Sequence, residues 1–503
     1  MATTLIDVVF PLESPVPAIV YGSTVLSRQQ LFDLAKRTAQ TIAHPTRKVF
    51  ALNLKNTAEF VVSFLAVTGQ GGIAAPLNSA ATEKDAKEQF VDAKVDVLII
   101  EDEQCGAYAA AKQLSAQVTV YLITKTFDLV LLQTSQASKQ SSKAPFAFPT
   151  AKPKDVALYL FTSGTTSKPK LVPLTNHNMI TSIANIRNTY ELDELDKVYS
   201  IMPLFHIHGL QSALFASLLG GGTVILPAPG VFSASIFWQD VVTSGATWYT
   251  AVPTMHQILL ARAKEDAQWI SKHKLRFIRS CSSPLAPAVL ANLESLTRVP
   301  VLEAYAMTEA SHQMCSNPLP HHGKHKPGSV GRPTNVQLKI SSTSGEVLIR
   351  GDNVLARTGY LNVTSPQVNI DAFEGSWFRT GDIGYLDGDG YLFLVGRSKE
   401  MVNRGGEKIS PFEIDSALLE MTGVSEAVCF GMPSEKYGEE LYCAAVVKSK
   451  DITEQAILQF AQTRLTKVKI PTRIFIVDSV PKTATGKIQR RLLTTHFANK
   501  SKL

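Results

Sequence analysis

Cysteine is scarce in this chain: five residues in 503, at positions 105, 281, 315, 429 and 443. The number is odd, the residues are scattered and no CxxC pair occurs, which argues against a disulfide framework or a structural zinc site and fits a reducing compartment. No uninterrupted apolar run approaches the ~18 residues of a membrane-spanning helix. The nearest, Ser212 to Gly230, is broken by Gly220-Gly221-Gly222, Pro227 and Pro229, and reads as a buried helix, a tight turn and a strand. Acidic Asp7 and Glu13 come early with no basic flank, so no secretory leader is predicted. Glycine (30) and proline (26) are too few for a collagen-like or low-complexity chain. A strong charge of one sign is missing too: 50 basic against 43 acidic residues leave +7. That surplus attracts a nucleotide, a CoA-like ligand, RNA or an anionic membrane, and does not choose among them.

What is present is apolar material: 45% of residues are hydrophobic, enough for a large packed core and too much for a disordered chain. At roughly 150 residues per domain, the length suggests about three units. Ser27–His44 and Thr57–Val67 read as helices, and Val49–Leu54, Gly69–Leu77, Val97–Glu101 and Val118–Thr124 as strands, which is the alternation of layered α/β structure with parallel strands. Thr134–Lys154, rich in Ser, Gln, Lys and Pro, reads as an exposed connection. Further strands are expected at Ala157–Phe161, Thr223–Leu226, Thr247–Val252, Phe277–Ser280 and Val299–Glu303, each ending in small or polar residues. Ligands of open α/β sheets sit where such strands end. After about Val330, short alternating strands predict a β-rich subdomain, and from Met401 helices (Pro411–Met421, Thr453–Leu465) mix with strands (Ala427–Gly431, Cys443–Val447, Arg473–Val477) in a separate small domain.

The strongest local pattern is Leu160-Phe161-Thr162-Ser163-Gly164-Thr165-Thr166-Ser167-Lys168-Pro169-Lys170, a hydrophobic strand running into hydroxyls, one glycine and two lysines. Backbone N–H groups and hydroxyls of such a loop surround phosphate oxygens while lysine supplies charge. It is not a Walker A loop, since Lys168 lacks the preceding Gly and the following Ser or Thr.

This segment resembles the phosphate loop of the adenylate-forming superfamily, which contains acyl-CoA synthetases, luciferases and peptide-synthetase adenylation domains. Met202-Pro203-Leu204-Phe205-His206, Tyr305-Ala306-Met307-Thr308-Glu309, Arg379-Thr380-Gly381-Asp382, Gly396-Arg397-Ser398-Lys399 and Pro481-Lys482-Thr483-Ala484-Thr485-Gly486-Lys487 resemble its other signatures in order. The likeness spans residues 155–492 by motif and the earlier part by general pattern. Two positions depart from it: Ser167 and Leu171 stand where the family usually carries Gly, and Leu171 is expected to begin the next strand.

The resemblance implies an α/β fold: a large N-terminal adenylation domain (1–396, with the β-rich part at 330–396), a hinge at 397–400 and a mobile α+β C-terminal domain (401–503). It implies ATP, Mg²⁺ and CoA as reactants or cofactors. Thr162, Ser163, Gly164, Thr165, Thr166 and Lys170 would hold phosphate, and Ser282, Ala304, Tyr305, Asp382 and Arg397 the nucleotide, with Tyr305 against adenine and Asp382 on the ribose hydroxyls. Glu309 would bind the metal; one carboxylate suffices for magnesium, which takes its other ligands from phosphate and water. Thr308 would meet the α-phosphate. Lys487 would bridge the substrate carboxylate and the α-phosphate, an electrostatic task suited to a compact ammonium. Lys399 would serve the hinge, and Gly405-Gly406 would admit a thin ligand such as pantetheine once the C-terminal domain has rotated.

Segments around 203–209, 249–256, 279–284 and 304–314 crowd polar side chains where a fatty-acid site needs an apolar tunnel. Phe205-His206-Ile207-His208-Gly209-Leu210, Arg276-Phe277-Ile278-Arg279-Ser280-Cys281-Ser282 and Glu303-Ala304-Tyr305-Ala306-Met307-Thr308-Glu309-Ala310-Ser311-His312 resemble the oxalate–CoA ligase branch of plants and yeasts. This implies oxalate as the acid, with His206, Ser283 and His312 on its distal carboxylate. The other readings are a ligase for aryl (coumarate-type) or medium-chain acids and, in a different class, a nucleotide- or RNA-binding protein using its basic surface. Ser501-Lys502-Leu503 matches the address read by the peroxisomal import receptor, so a peroxisomal location, matrix or peripheral, is expected, with a cytoplasmic pool beside it.

Overall fold

The computed structural model describes residues 2–44, 46–135, 147–162 and 168–498. Two mixed sheets build the N-terminal part. The first has seven strands in the order Leu129–Gln133, Thr119–Ile123, Val97–Ile100, Val49–Asn53, Ile73–Pro76, Val156–Phe161, Leu171–Thr175. Its central five strands are parallel, and an antiparallel strand closes each edge. The second has nine strands, in the order Arg332–Pro333, His312–Ser316, Val301–Met307, Phe277–Cys281, Trp248–Ala251, Lys197–Tyr199, Thr223–Leu226, Ile19–Tyr21, Thr24–Leu26. The run from Val301–Met307 to Ile19–Tyr21 is parallel; the three remaining strands are antiparallel additions at its ends.

Helix Ala58–Gly69 is buried at every residue, as its all-round apolar sequence AEFVVSFLAVTG requires. One hydrophobic cluster joins it to strands of both sheets and to helix Asn176–Tyr190. Ser27 caps helix Arg28–Thr41 by accepting from the Gln30 amide, with the Gln30 side chain reaching back to the cap. The segment read as a buried helix within Ser212–Gly230 begins earlier, at His208, and its stretch His208–Phe215 is a π-helix before Ala216–Gly220 resumes α geometry. Such widened turns concentrate at functional sites. Gly209 sits inside it because a Cβ there would lie 2.5 Å from the carbonyl oxygens of Met202 and Pro203.

A five-stranded sheet follows: Gln337–Ile340, Glu346–Arg350, Phe373–Glu374, Trp377–Leu386 and Leu392–Arg397, all antiparallel. Beyond it, a hairpin of Val424–Ser434 and Gly438–Val447, longer than the sequence pattern suggested, carries two strands on the free edge of Gly438–Val447: Arg473–Ile476 in parallel and Val402–Arg404 antiparallel. Helices Pro411–Leu418, Glu454–Arg464 and Arg490–Ala498 complete this domain. Arg490 is structural: its guanidinium pairs with buried Asp415 at 2.8 Å and donates to the Cys429 carbonyl. Among the described residues no helix is long and apolar enough to cross a membrane.

The domains meet at a turn. Thr254 Oγ1 donates to the Gly486 carbonyl at 3.2 Å, and a Cβ on Gly486, whose φ is +80°, would lie 2.8 Å from that hydroxyl. The approach depends on glycine.

Gly209→Ala is expected to lower stability by ~1–3 kcal/mol, because two backbone carbonyls cannot both retreat from the added methyl. Calorimetry should show a lowered Tm; an unchanged Tm contradicts the close approach.

Candidate functional site

The site gathers at the carboxyl ends of the parallel strands of the second sheet, where such sheets bind ligands. Register places Thr250 beside Arg279 and Cys281 beside Ala304. Past Val301–Met307 the chain makes a single 3₁₀ turn, Thr308–Ala310, and returns as His312–Ser316. Tyr305, Thr308, Glu309 and His312 therefore stand around one bend.

On one flank, Asp382 is buried within Trp377–Leu386. The Tyr305 hydroxyl donates to its Oδ2, and Arg397 Nε lies 3.3 Å from its Oδ1. Burial pushes the Asp382 carboxyl up, against the pull of Arg397, while Asp382 in turn raises Arg397. Both carboxylate oxygens thus already have partners, and a ribose diol would have to share or displace them. The sequence placed Tyr305 against adenine; in the structure its hydroxyl is tied to Asp382. Ala304, buried, precedes it on the strand.

On another flank, Thr162 and Lys170 close the base of the phosphate loop. The Thr162 amide donates to the Lys170 carbonyl at 2.9 Å and the Lys170 amide to Thr162 Oγ1 at 3.0 Å. Ser163, Gly164, Thr165 and Thr166, and Ser167 with them, lie outside the described residues. Leu171 is buried at the head of its edge strand, and its amide donates to Asn362 Oδ1. The Lys170 ammonium sits 4.3 Å above the Tyr360 ring, whose hydroxyl donates to Glu309 Oε1 at 2.8 Å. Burial lowers Lys170, and Glu309 opposes that. Tyr360, which sequence reasoning missed, takes one Glu309 oxygen and leaves the other for a ligand. A single carboxylate oxygen in the field of Lys170 fits magnesium, which keeps most of its shell for phosphate and water.

Lys487 enters from the C-terminal domain. The Thr483 amide donates to the Lys487 carbonyl at 2.8 Å, and the Lys487 amide to Thr483 Oγ1 at 3.1 Å, so a tight turn aims the side chain. Burial first, and then the Arg397 charge, lower its ammonium to about 8, against the opposing charges of Glu309 and Asp382. The same ammonium acts on His206, His208 and His312. Lys487 thus stands within electrostatic reach of all three flanks.

The third flank is a pocket of buried polar groups. His206 Nδ1 accepts from the His208 amide at 3.2 Å. His208 is fully buried, stacks on His312 with ring centroids 5.1 Å apart, and meets Ser282 Oγ at 3.0 Å through Nδ1. His312 is held at φ +103°, a conformation rare outside glycine, next to Ser311 at +49°. Both ring nitrogens of His312, and Ser311 Oγ, are buried without a hydrogen-bond partner among the described residues. Unsatisfied buried donors at a strained bend mark a place where a ligand completes the bonding. Ser283, half-buried, donates to the Ser282 carbonyl at 2.9 Å. Burial holds His206, His208 and His312 well below the usual histidine range, so all three are neutral near pH 7.

Lys399 is exposed in the 3₁₀ turn Ser398–Glu400 and opposes Lys170 electrostatically. Gly405 and Gly406, at φ +62° and +93°, form an exposed hairpin tip beside Tyr437. The arrangement that buries Lys487 leaves this tip at the surface.

The family model described as AMP-binding enzyme matches residues 13–368, and that of the AMP-binding enzyme C-terminal domain matches 413–487. The chain belongs to the AMP-binding enzyme family. It is 47% identical over 497 residues to oxalate–CoA ligase of Arabidopsis thaliana, covering 96% of this chain and 95% of that protein. It is 41% identical over 489 residues to oxalate–CoA ligase of Saccharomyces cerevisiae, covering 90% and 88%. Its fold matches ATP-bound MatB of Rhodopseudomonas palustris with a TM-score of 0.87 at 26% identity, over 99% of this chain and 100% of that one. The cleft lies between the large N-terminal part and the small C-terminal domain that brings in Lys487.

The cation at Lys487 is present below about pH 8 and lost as pH rises through that value. In the acid-dependent exchange of pyrophosphate into ATP, kcat/KM should therefore fall about tenfold per unit above pH 8. The three histidines titrate well below 6.5, so the profile should be flat from pH 6.5 to 7.5. A profile flat to pH 9.5 contradicts the role of the ammonium.

Proposed function

We propose that the chain is an ATP-dependent, AMP-forming carboxylate–CoA ligase whose acid is oxalate. The observation that carries the choice of acid is the pocket beside Lys487: neutral imidazoles and hydroxyls line it, with unsatisfied donors on His312 and Ser311. A long apolar acid would leave those groups unpaired, at ~1–3 kcal/mol each. A second carboxylate satisfies them. The two oxalate–CoA ligases that the chain resembles over most of its length support the same reading.

The first step joins two anions. A carboxylate oxygen of oxalate attacks the α-phosphorus of ATP, the bond to the bridging oxygen breaks, and pyrophosphate leaves. Lys487 offsets the repulsion and the charge that develops on the phosphoryl oxygens. Thr308 and Lys170 border the phosphates, and Asp382 with Arg397 the ribose. Glu309 is the residue that would hold magnesium, whose charge neutralises phosphate oxygens. In the second step the CoA thiolate attacks the acyl carbon and AMP leaves. That step belongs to an arrangement in which Gly405-Gly406 approaches the cleft and Lys487 has withdrawn. Import into the peroxisome through Ser501-Lys502-Leu503, outside the described residues, is part of the same reading.

CoA-dependent AMP formation from oxalate, malonate, acetate, coumarate and octanoate tests the acid. Oxalate should lead in kcat/KM by at least about tenfold, and His312→Ala should raise its KM about tenfold, the worth of one hydrogen bond to a charged group. Preference for coumarate or octanoate overturns the assignment.

A further inference from the structure

Arg279 is an unusual charge to find in this pocket. It interrupts the apolar strand Phe277–Cys281, is fully buried, and pairs with no acidic side chain among the described residues. Neutral groups surround it instead. Its Nε donates to the Tyr190 hydroxyl at 2.9 Å, one terminal nitrogen to Gln313 Oε1 at 3.1 Å, and the other to Thr250 Oγ1 at 3.2 Å. That last nitrogen also lies 3.3 Å from His208 Nε2, and the Cys281 thiol adds a further contact. A buried guanidinium without a counter-ion is costly unless something on the pathway of the reaction supplies the missing charge.

The guanidinium also sets direction. It has only donors, so every atom it meets must accept. Thr250 Oγ1, accepting from Arg279, has one hydrogen to give, and its neighbour is His208 Nε2 at 2.6 Å. His208 Nε2 is then an acceptor. In a neutral imidazole the proton must sit on Nδ1, which faces Ser282 Oγ at 3.0 Å. Ser282 accepts that proton's hydrogen bond, and its own hydroxyl hydrogen is left to point elsewhere. The family resemblance gave Ser282 to the nucleotide; in the structure it follows the strand end with φ +75° and its hydroxyl faces the His208 side of the acid pocket.

We propose that Arg279 is a positioning residue that fixes the order of hydrogen bonds through Thr250 and His208, so that Ser282 presents its hydroxyl hydrogen to the distal carboxylate of a short dianionic acid. The selection of the dianion rests on the oxalate reading above; the order of hydrogen bonds does not. With the order reversed, Ser282 would offer a lone pair to an anion and repel it. The buried charge favours a second carboxylate over a neutral group at the same place. Nearby His312, stacked on His208 and held neutral by the same burial and charge, keeps a ring N–H for the ligand.

Two measurements test this. Long-range ¹H–¹⁵N spectra of the ¹⁵N-histidine-labelled full chain report each imidazole's tautomer, and His208→Gln assigns the His208 signals. The expected result is a neutral ring with its proton on Nδ1; a proton on Nε2, or an imidazolium at pH 7, overturns the proposal whether or not any Arg279 variant folds. Kinetics then follow Arg279→Gln and Arg279→Lys. Arg279→Gln should raise the oxalate KM by about 10–100-fold and shrink the oxalate-to-acetate ratio of kcat/KM at least tenfold, with the KM for ATP changed less than about threefold. Arg279→Lys, which keeps a buried donor cation, should restore most of the ratio. An unchanged ratio in a folded Arg279→Gln enzyme overturns the proposal. Failure of the oxalate reading shows separately, as a wild-type enzyme that ignores oxalate while His208 keeps its proton on Nδ1; that result supports the order of hydrogen bonds and removes its link to oxalate.

Discussion

A half-desolvated ammonium placed between groups of both signs is the constraint around which the rest is arranged. Lys487 is lowered to about 8 by burial and by Arg397, yet Glu309 and Asp382 keep it largely charged near neutrality. A surface lysine would be hydrated and screened, and would offer little to a developing pentavalent phosphorus. The charge becomes useful because the small domain delivers it into a cleft that the large domain has built. Delivery depends on a close approach that glycine permits, Gly486 against Thr254. The two domains thus touch at the residue next to that ammonium.

Around that cation the site separates three tasks onto three flanks. Asp382 is tied through both oxygens to Tyr305 and Arg397, so a diol has to share or displace those partners. Glu309 is half satisfied by Tyr360, which also lies under Lys170, so the carboxylate and the ammonium share one aromatic spacer. The acid pocket is the costliest part. It buries a guanidinium, two stacked imidazoles and several hydroxyls, and holds His312 in a strained backbone conformation. Such a network costs stability when incompletely bonded, and specifies one ligand when the ligand completes it.

Much of this was legible in the sequence, for a physical reason. The residues expected to meet phosphate, ribose and metal come from short contiguous runs in which small, hydroxyl and charged residues follow an apolar strand, and such runs survive as motifs. The parallel cores of both sheets were likewise readable as apolar runs at helix-spaced intervals. The hairpin at one end of the second sheet was not: its last parallel strand Ile19–Tyr21 and the antiparallel Thr24–Leu26 are three residues each, too short for a period to register. The π-helix His208–Phe215 has the same apolar composition as an α-helix, and backbone crowding at Gly209 is invisible without coordinates. The structural pairing of Arg490 left no trace in the sequence, because its partner Asp415 lies far away along the chain. Arg279 left one signal, a charge inside a strand that is otherwise uncharged. Its meaning came only when Thr250, Tyr190 and Gln313 converged on it from three other elements.

The central claim is that the Lys487 ammonium is needed to join the acid to the nucleotide and is not needed afterwards. Lys487→Ala, assayed separately in each half of the reaction, tests it most directly. Acid-dependent pyrophosphate exchange should fall by about 10²-fold or more, the scale of losing one electrostatic stabiliser of a transition state. Thioester formation from preformed oxalyl-adenylate and CoA should remain within a few-fold of wild type. Exchange at the wild-type rate, or an equal loss in both halves, would contradict the account.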